Sequence, residues 1–338
     1  MAGPYWDQEP NVVVLGGGTG SFMLLSSLKR HTRNITALVN MADDGGSTGT
    51  LRDELGALPP GDVRQCLVAL SDTPHLRELF NYRFEDGSLK GHAFGNLFLT
   101  ALEKMTGNFA EGVEVASRVL NITGRVEPIT LSDVRLAMRD TSGEVIKGEF
   151  AIAERVFDGQ KLDFWLEPDP IVNPQAIEAI KQADIVVVAP GNLYGSLAPT
   201  LIVPGISKAL QESKATKVYV CNLVTKPGQT DGFKVSDFAD EIERFLGYNN
   251  VLDFVLYNTA KPPRKLLEKY ARDGELAVGI DQVNLQKASY TAVGKPLLGS
   301  DIVEKPANSK ADPIAHSRTL IRHDSEAVAS ALVDLIGK

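Results

Sequence analysis

The sequence predicts an α/β protein: a Rossmann-like, doubly wound, mostly parallel sheet that carries a β-rich insertion. Three observations predict it. An apolar, β-branched run, Val12–Leu15, stops at Gly16, Gly17 and Gly18, with Thr19 and Gly20 behind, and a helical pattern follows with Phe22, Leu24, Leu25 and Leu28 apolar. A second run, Ile35–Val39, ends at an acidic, glycine-rich loop, Asp43-Asp44-Gly45-Gly46-Ser47. Strand, glycine turn, helix, strand and acidic loop form the opening half of a nucleotide-binding sheet. Two later runs, Ile185–Ala189 and Val218–Val220, are apolar throughout, as strands buried on both faces of a parallel sheet are.

Composition narrows the function classes. The chain has 338 residues, 43% hydrophobic and 23% charged, which suits a soluble globular protein. A net charge of −8 weighs against a nucleic-acid-binding surface. Cys66 and Cys221 are too few for a disulfide framework and have no metal-type spacing, so a reducing cytoplasm is expected. The first residues have no basic segment followed by an apolar core, and no apolar run approaches the roughly 20 residues of a membrane span. Residues 1–10 read as a flexible tail and 11–338 as one Rossmann-like domain, with the β-rich insertion at about 125–166.

The first loop is a phosphate cradle in outline. Glycines at 16, 18 and 20 let backbone N–H groups around Gly17, Gly18 and Thr19 approach an anion at the N-terminus of the next helix. The full G-x-G-x-x-G is missing, because Ser21 and Phe22 stand where the last glycine would fall, and a tight strand-to-helix turn explains the same residues. Asp43 and Asp44 can accept bonds from a sugar hydroxyl, hold Mg²⁺ through water, or form a solvated turn. Gly45, Gly46 and Gly49 around Ser47 and Thr48 outline a second anion nest. A helix is expected from Val63 to Leu70 with Asp62 as its N-cap. Arg64 in its first turn gains nothing from the dipole, so a bound phosphate or a salt bridge to Asp62 or Asp53 holds it.

Further along, His75–Phe84 is helical, and the turn Gly91–Leu97 opens a helix running to Met105. In that turn His92 can meet a phosphate, act as an acid or simply pack, and Asn96 can present its amide to a ligand or cap the helix. After the helix Phe109–Leu120 the texture turns to β, with runs at Val126–Leu131, Val134–Met138, Val145–Phe150 and Leu162–Leu166 and a hairpin turn at Thr141-Ser142-Gly143. Prolines 168, 170 and 174 mark a linker, and a helix runs from Asn173 to Ile180. The strand Ile185–Ala189 ends in a third loop containing Gly191, Asn192, Gly195 and Ser196, where Ser196 can cap the next helix and offer its N–H and hydroxyl to a phosphate. The strand Val218–Val220 ends in a fourth, Cys221–Phe233, in which Thr230 and Asp231 can bond a base or sugar and Lys226 either pairs with a phosphate or stands exposed. A helix Val235–Leu246, a strand Val251–Leu256 reaching Tyr257, a helix up to Tyr270 and edge strands within Gly274–Gly294 follow. Tyr257 can stack on a base or pack. Residues 302–312 read as loop, and Ser325 as the N-cap of a last helix, Ala327–Ile336.

Together the four loops line one sheet edge and outline a crevice for a ligand with phosphates and sugar hydroxyls. No Ser-His-Asp or Cys-His set stands out, so binding is more legible than catalysis.

These loops carry a family resemblance. GGGTG at Gly16–Gly20, MADDGGSTGTLR at Met41–Arg52, GDVRQCL at Gly61–Leu67, GHAFGNL at Gly91–Leu97, PGNLYGSLAP at Pro190–Pro199 and NLVTKPGQTDGF at Asn222–Phe233 resemble the gluconeogenesis factor family, within the superfamily of 2-phospho-L-lactate transferase. The resemblance implies binding of a UDP-sugar, typically UDP-N-acetylglucosamine, and a regulatory role in cell shape during gluconeogenic growth. Its diphosphate would lie over Gly17–Thr19 and Gly195–Ser196, with the uracil and sugar meeting Asn222, Thr230, Asp231, Tyr257 and Arg322. No required cofactor, a protein partner in cell-wall regulation and a homo-oligomer are expected with it, and NAD, which also carries a diphosphate and riboses, is an adventitious occupant of the crevice. Ser325 stands in place of the family's threonine, and Gln229 in place of a glutamate. The transferase relatives share the paired aspartates, so the alternative is a Mg²⁺-dependent phosphoryl or nucleotidyl transferase with the metal at Asp43 and Asp44.

Overall fold

Seven parallel strands build the main sheet, in the order β10-β9-β8-β7-β1-β2-β3. They are β1 (Val12–Gly16), β2 (Ile35–Val39), β3 (Arg125–Pro128), β7 (Ile185–Val188), β8 (Thr216–Val220), β9 (Phe254–Asn258) and β10 (Thr291–Lys295). β4 (Arg135–Arg139), β5 (Val145–Lys147) and β6 (Asp163–Glu167) form a separate antiparallel sheet, ordered β5-β4-β6. The computed structural model describes residues 9–157, 159, 161–299 and 321–338. The loop expected at 302–312 and the first eight residues of the expected tail lie outside them. Glu9 and Pro10 are tied down: Thr32 Oγ1 donates to the Pro10 carbonyl at 2.9 Å and Asn34 Nδ2 to that of Glu9 at 2.9 Å.

The doubly wound order follows from chain direction. From β1 the chain moves outward to β2 and β3; it then returns through the small sheet and resumes on the other side of β1 at β7. β1 is therefore the switch point, where the loops leaving β1 and β7 part and open a crevice at the strands' carboxyl ends. Val12–Leu15 and Ile185–Val188 are buried on both faces. Each such side chain contributes roughly 1.5–3 kcal/mol of burial, which anchors the two loops that leave these strands. The helix Gly18–Leu28 covers β1, packed between the helices Pro60–Leu70 and Ser325–Val333.

Several elements depart from the sequence expectation. Arg125–Pro128 pairs in parallel with β2, so the insertion proper begins after it. The loop expected at Asp43–Ser47 ends earlier, because Gly46–Leu55 is a helix. Its first residues are poor helix formers, but buried Arg52 donates to the carbonyls of Asp43 at 3.0 Å and Val134 at 2.7 Å and pairs with Asp133, holding the turn in place. The helix at 60 starts earlier than expected, with Pro59 as N-cap, which puts Asp62 inside its first turn. Asp324 rather than Ser325 caps the last helix, accepting from Glu326 N and Ala327 N at 3.0 Å each. Asn192 rather than Ser196 caps the turn after β7, accepting from Tyr194 N and Gly195 N.

Candidate functional site

The crevice at the switch point encloses about 490 Å³. Gly17–Gly20 form its floor, Pro190–Leu193 and Ser196 one wall, and the loop after β8, from Asn222 to Thr230, another. Arg322, His323 and Ser325 close the end where the last helix begins. Close backbone approach explains the floor: a Cβ on Gly20 would overlap the Pro190 carbonyl, and one on Gly17 would overlap the Asp62 carboxyl. Asn222 ties the two walls together, its Nδ2 donating to the Gly191 carbonyl at 2.7 Å. The Thr230 hydroxyl accepts from Lys226 N at 2.7 Å and so shapes its own loop. His323 Nε2 lies 3.2 Å from the Cys221 carbonyl, and burial pulls its imidazole down to about 4, so it donates as a neutral ring. Burial pushes the Cys221 thiol well up, leaving it a packing residue.

Behind Gly17 the character changes. Asp62 is buried, and desolvation with repulsion from Asp43 pushes its carboxyl up to about 7, against the hydrogen bond from Gly18 N. Burial raises Asp43 as well, opposed by bonds from Gly45 N and Thr48. Glu149 arrives from the insertion, at the start of the short helix Glu149–Ala153, against Gly195 and Asn192. Burial, then repulsion from Asp43 and Asp62, raises it well above the usual carboxylate range. Asp44 turns the other way, accepting from Phe150 N at 2.9 Å and lying 3.6 Å from Arg135. Asp43 is thus partnered by Asp62, with Asp44 committed to the insertion. Among the described residues no group of three or more His, Cys, Asp or Glu side chains is placed to hold a metal.

Ser47, His92, Asn96 and Arg64 form a third cluster. Ser47 Oγ sits 3.0 Å from His92 Nδ1 and accepts from Asn96 Nδ2 at 3.2 Å, while Asn96 Oδ1 accepts from Arg64 Nε at 2.9 Å. Arg64 also donates to Asn81, its charge partly offsets the rise at Asp62, and Asp53 pairs with Arg135. Of the residues expected to bind ligand, Gly17, Gly18, Thr19, Gly191, Asn192, Ser196, Asn222, Thr230 and Arg322 line the crevice, with Gly195 just behind its wall. Asp231 is exposed and outside the lining. Tyr257 is buried within β9, where its ring faces Gly294 of β10, also away from the crevice. The sequence does not single out Asp62, Glu149 or His323 as ligand-site residues: Asp62 reads there as a helix cap or an ion-pair partner, and Glu149 carries no local signal.

The model of the 2-phospho-L-lactate transferase CofD family matches residues 12–298. The gluconeogenesis factor of Bacillus subtilis is 38% identical over 335 residues, covering 97% of this chain and 99% of its own. That of Halalkalibacterium halodurans is 41% identical over 283 residues, covering 82% and 87%. A crystal structure of a UPF0052 family member from Bacillus halodurans matches the fold with a TM-score of 0.86 at 37% identity, covering 96% of this chain and 99% of the other.

Proposed function

Because the chain belongs to the 2-phospho-L-lactate transferase CofD family, among its gluconeogenesis factors, we propose that it is a UDP-sugar-binding regulatory protein. UDP-N-acetylglucosamine is the first candidate ligand, and cell morphogenesis during gluconeogenic growth the process regulated. The observation that carries this reading is the crevice at the switch point. Its 490 Å³ falls in the roughly 300–1,000 Å³ range of small-molecule sites. Its floor is a glycine turn at a helix N-terminus, suited to a diphosphate, and Asn192, Asn222 and Thr230 offer polar partners for sugar and base. Arg322 supplies a cation at the far end. NAD carries the same diphosphate and ribose groups and would compete. A cytoplasmic location, a protein partner in cell-wall regulation and a homo-oligomer belong to the same proposal. No helix among the described residues is long and apolar enough to cross a membrane.

Isothermal titration with UDP-N-acetylglucosamine tests the reading, and no heat at millimolar ligand ends it. Arg322→Ala weakens binding by about 1–3 kcal/mol if the guanidinium makes a charge-assisted contact. Unchanged affinity removes Arg322 from the site.

One observation favours a second reading, a Mg²⁺-dependent transferase. Asp62 lies buried against Gly17, where a phosphate would lie, and Asp43 is near enough for the two carboxyls to repel each other. Mg²⁺ is commonly held by one or two carboxylates plus substrate phosphates, and this pair fits that set better than Asp43 with Asp44. A bound Mg²⁺ would supply charge neutralisation at the diphosphate. Release of UMP or UDP from the nucleotide sugar, over a panel of acceptors, distinguishes this reading from binding alone.

A further inference from the structure

We propose that Lys226 is a second anion-binding residue of the crevice, receiving a phosphoryl oxygen of the nucleoside diphosphate from the wall formed by the loop after β8. The inference rests on the UDP-sugar reading and assigns that site a specific cation.

Lys226 lines the crevice in the loop after β8 and is half-buried. Its backbone has little freedom. Its N–H donates to Thr230 Oγ1 at 2.7 Å, and its carbonyl accepts from Gln229 N at 3.1 Å and Thr230 N at 2.9 Å. The loop is clamped to the insertion by Gln229 Nε2, which donates to the Ile152 carbonyl at 3.0 Å, and by Phe157 N, which donates to the Gly228 carbonyl at 2.6 Å.

The ammonium, by contrast, has no hydrogen bond or ion pair among the described residues. Other poorly exposed cations do: Lys29 meets Asp72 at 2.6 Å, Lys217 meets Asp253 at 3.5 Å, and Arg244 meets Glu241 at 2.6 Å. Attraction from Glu149 and Glu154 reaches Lys226 only from beyond ion-pair distance, and burial lowers its proton affinity. The same loop brings no counter-ion to the wall, since residue 229 is a neutral glutamine. A half-buried ammonium without a partner is costly to keep, and an incoming oxyanion removes that cost. Among the described residues that line the crevice Glu275 is the one carboxylate, against Lys226 and Arg322. That balance suits a ligand bearing more than one negative charge.

The test titrates UDP-N-acetylglucosamine and inorganic pyrophosphate into the full chain and into Lys226→Met and Lys226→Arg. Lys226→Met is expected to weaken UDP-N-acetylglucosamine roughly 10–100-fold. The unliganded melting temperature should hold or rise, because an unpaired charge has been removed, and Lys226→Arg should recover most of the affinity. Wild-type affinity in Lys226→Met overturns the proposal, as does a loss of affinity matched by a lower unliganded melting temperature that Lys226→Arg fails to restore. If the wild-type chain binds no UDP-sugar, the UDP-sugar reading falls by itself. Pyrophosphate then decides on Lys226: binding that Lys226→Met abolishes supports its role, and equal or absent binding overturns it.

Discussion

On one side of Gly17 lies an open crevice whose lining, among the described residues, carries two cations, several neutral amides and one carboxylate. On the other side lie Asp62, buried, and Asp43 and Glu149, partly buried, each with its proton affinity raised by desolvation. One turn of backbone separates the regions, yet they treat charge in opposite ways. The crevice presents positive charge and free space. The acidic side presents carboxyls that add no net negative charge only while protonated or balanced by a bound cation. A diphosphate over Gly17 would therefore face ionised acids at close range unless protons or a divalent cation neutralise them. Site occupancy should depend on pH and on divalent ions even if the ligand itself touches only the crevice.

The largest effect expected from breaking this contrast is on stability against pH. Asp62 keeps its proton to about pH 7, whereas an unfolded aspartate loses it near 4. Between those values the folded chain binds the extra proton, so stability is highest at the acid end, falls as pH rises through the window, and levels off above about 7. Asp62→Asn cannot titrate. It should flatten the slope and be more stable than the parent at pH 8 by roughly 1–4 kcal/mol. Urea unfolding at pH 5 and pH 8 measures this, and parallel pH profiles for the two proteins would show that Asp62 ionises freely. Some slope should remain from Asp43 and Glu149, whose burial acts in the same direction.

A smaller effect probes the joint between the regions. Gln229 Nε2 donates to the carbonyl of Ile152, with those of Ala153 and Arg155 at 3.4 Å, so it holds the crevice loop to the helix that delivers Glu149. Gln229→Leu removes this tie while the Ile152 carbonyl keeps its bond from Arg155 N at 3.1 Å, so the change should cost about 0.5–1.5 kcal/mol. Amide hydrogen exchange should speed up around Ile152–Phe157 and at Lys226–Thr230 together. Exchange rising in one segment alone would mean the two are not mechanically joined.

The crevice was more legible in the sequence than the acidic side, for a physical reason. Buried parallel strands need apolar runs, and loops at their carboxyl ends need glycine where backbone approaches backbone. Val12–Gly20 and Ile185–Gly195 therefore announce themselves locally. The acidic side is assembled from distant pieces. Asp62 looked like a helix cap because its burial depends on the Gly18–Leu28 helix packing across its own. Glu149 sits on a helix too short to show periodicity, and only tertiary packing carries it to Gly195. The helix Gly46–Leu55 was hidden by its weak formers, since its stability comes from Arg52 reaching Asp133 and Val134. At Tyr257 the sequence left stacking and packing both open, and β10 lies over its ring.

The smallest expected effect asks whether the third cluster belongs to either region. Asn96 Nδ2 donates to Ser47 Oγ, which leaves the hydroxyl proton for His92 Nδ1. Ser47→Ala strands one donor and one acceptor. The position is only partly buried, so water can replace the hydroxyl, and the cost should be near 0.5–1.5 kcal/mol in stability. None of Ser47, His92, Asn96 and Arg64 lines the crevice, so UDP-sugar affinity should stay within about twofold of the parent. If Ser47→Ala instead weakens the ligand as much as Arg322→Ala does, the cluster is part of the binding surface. Ser47 is four residues from Asp43 in sequence, so such a result would place the ligand's far end across the acids. The boundary at Gly17 would then be a midpoint of one continuous site, with the ligand bridging both kinds of charge.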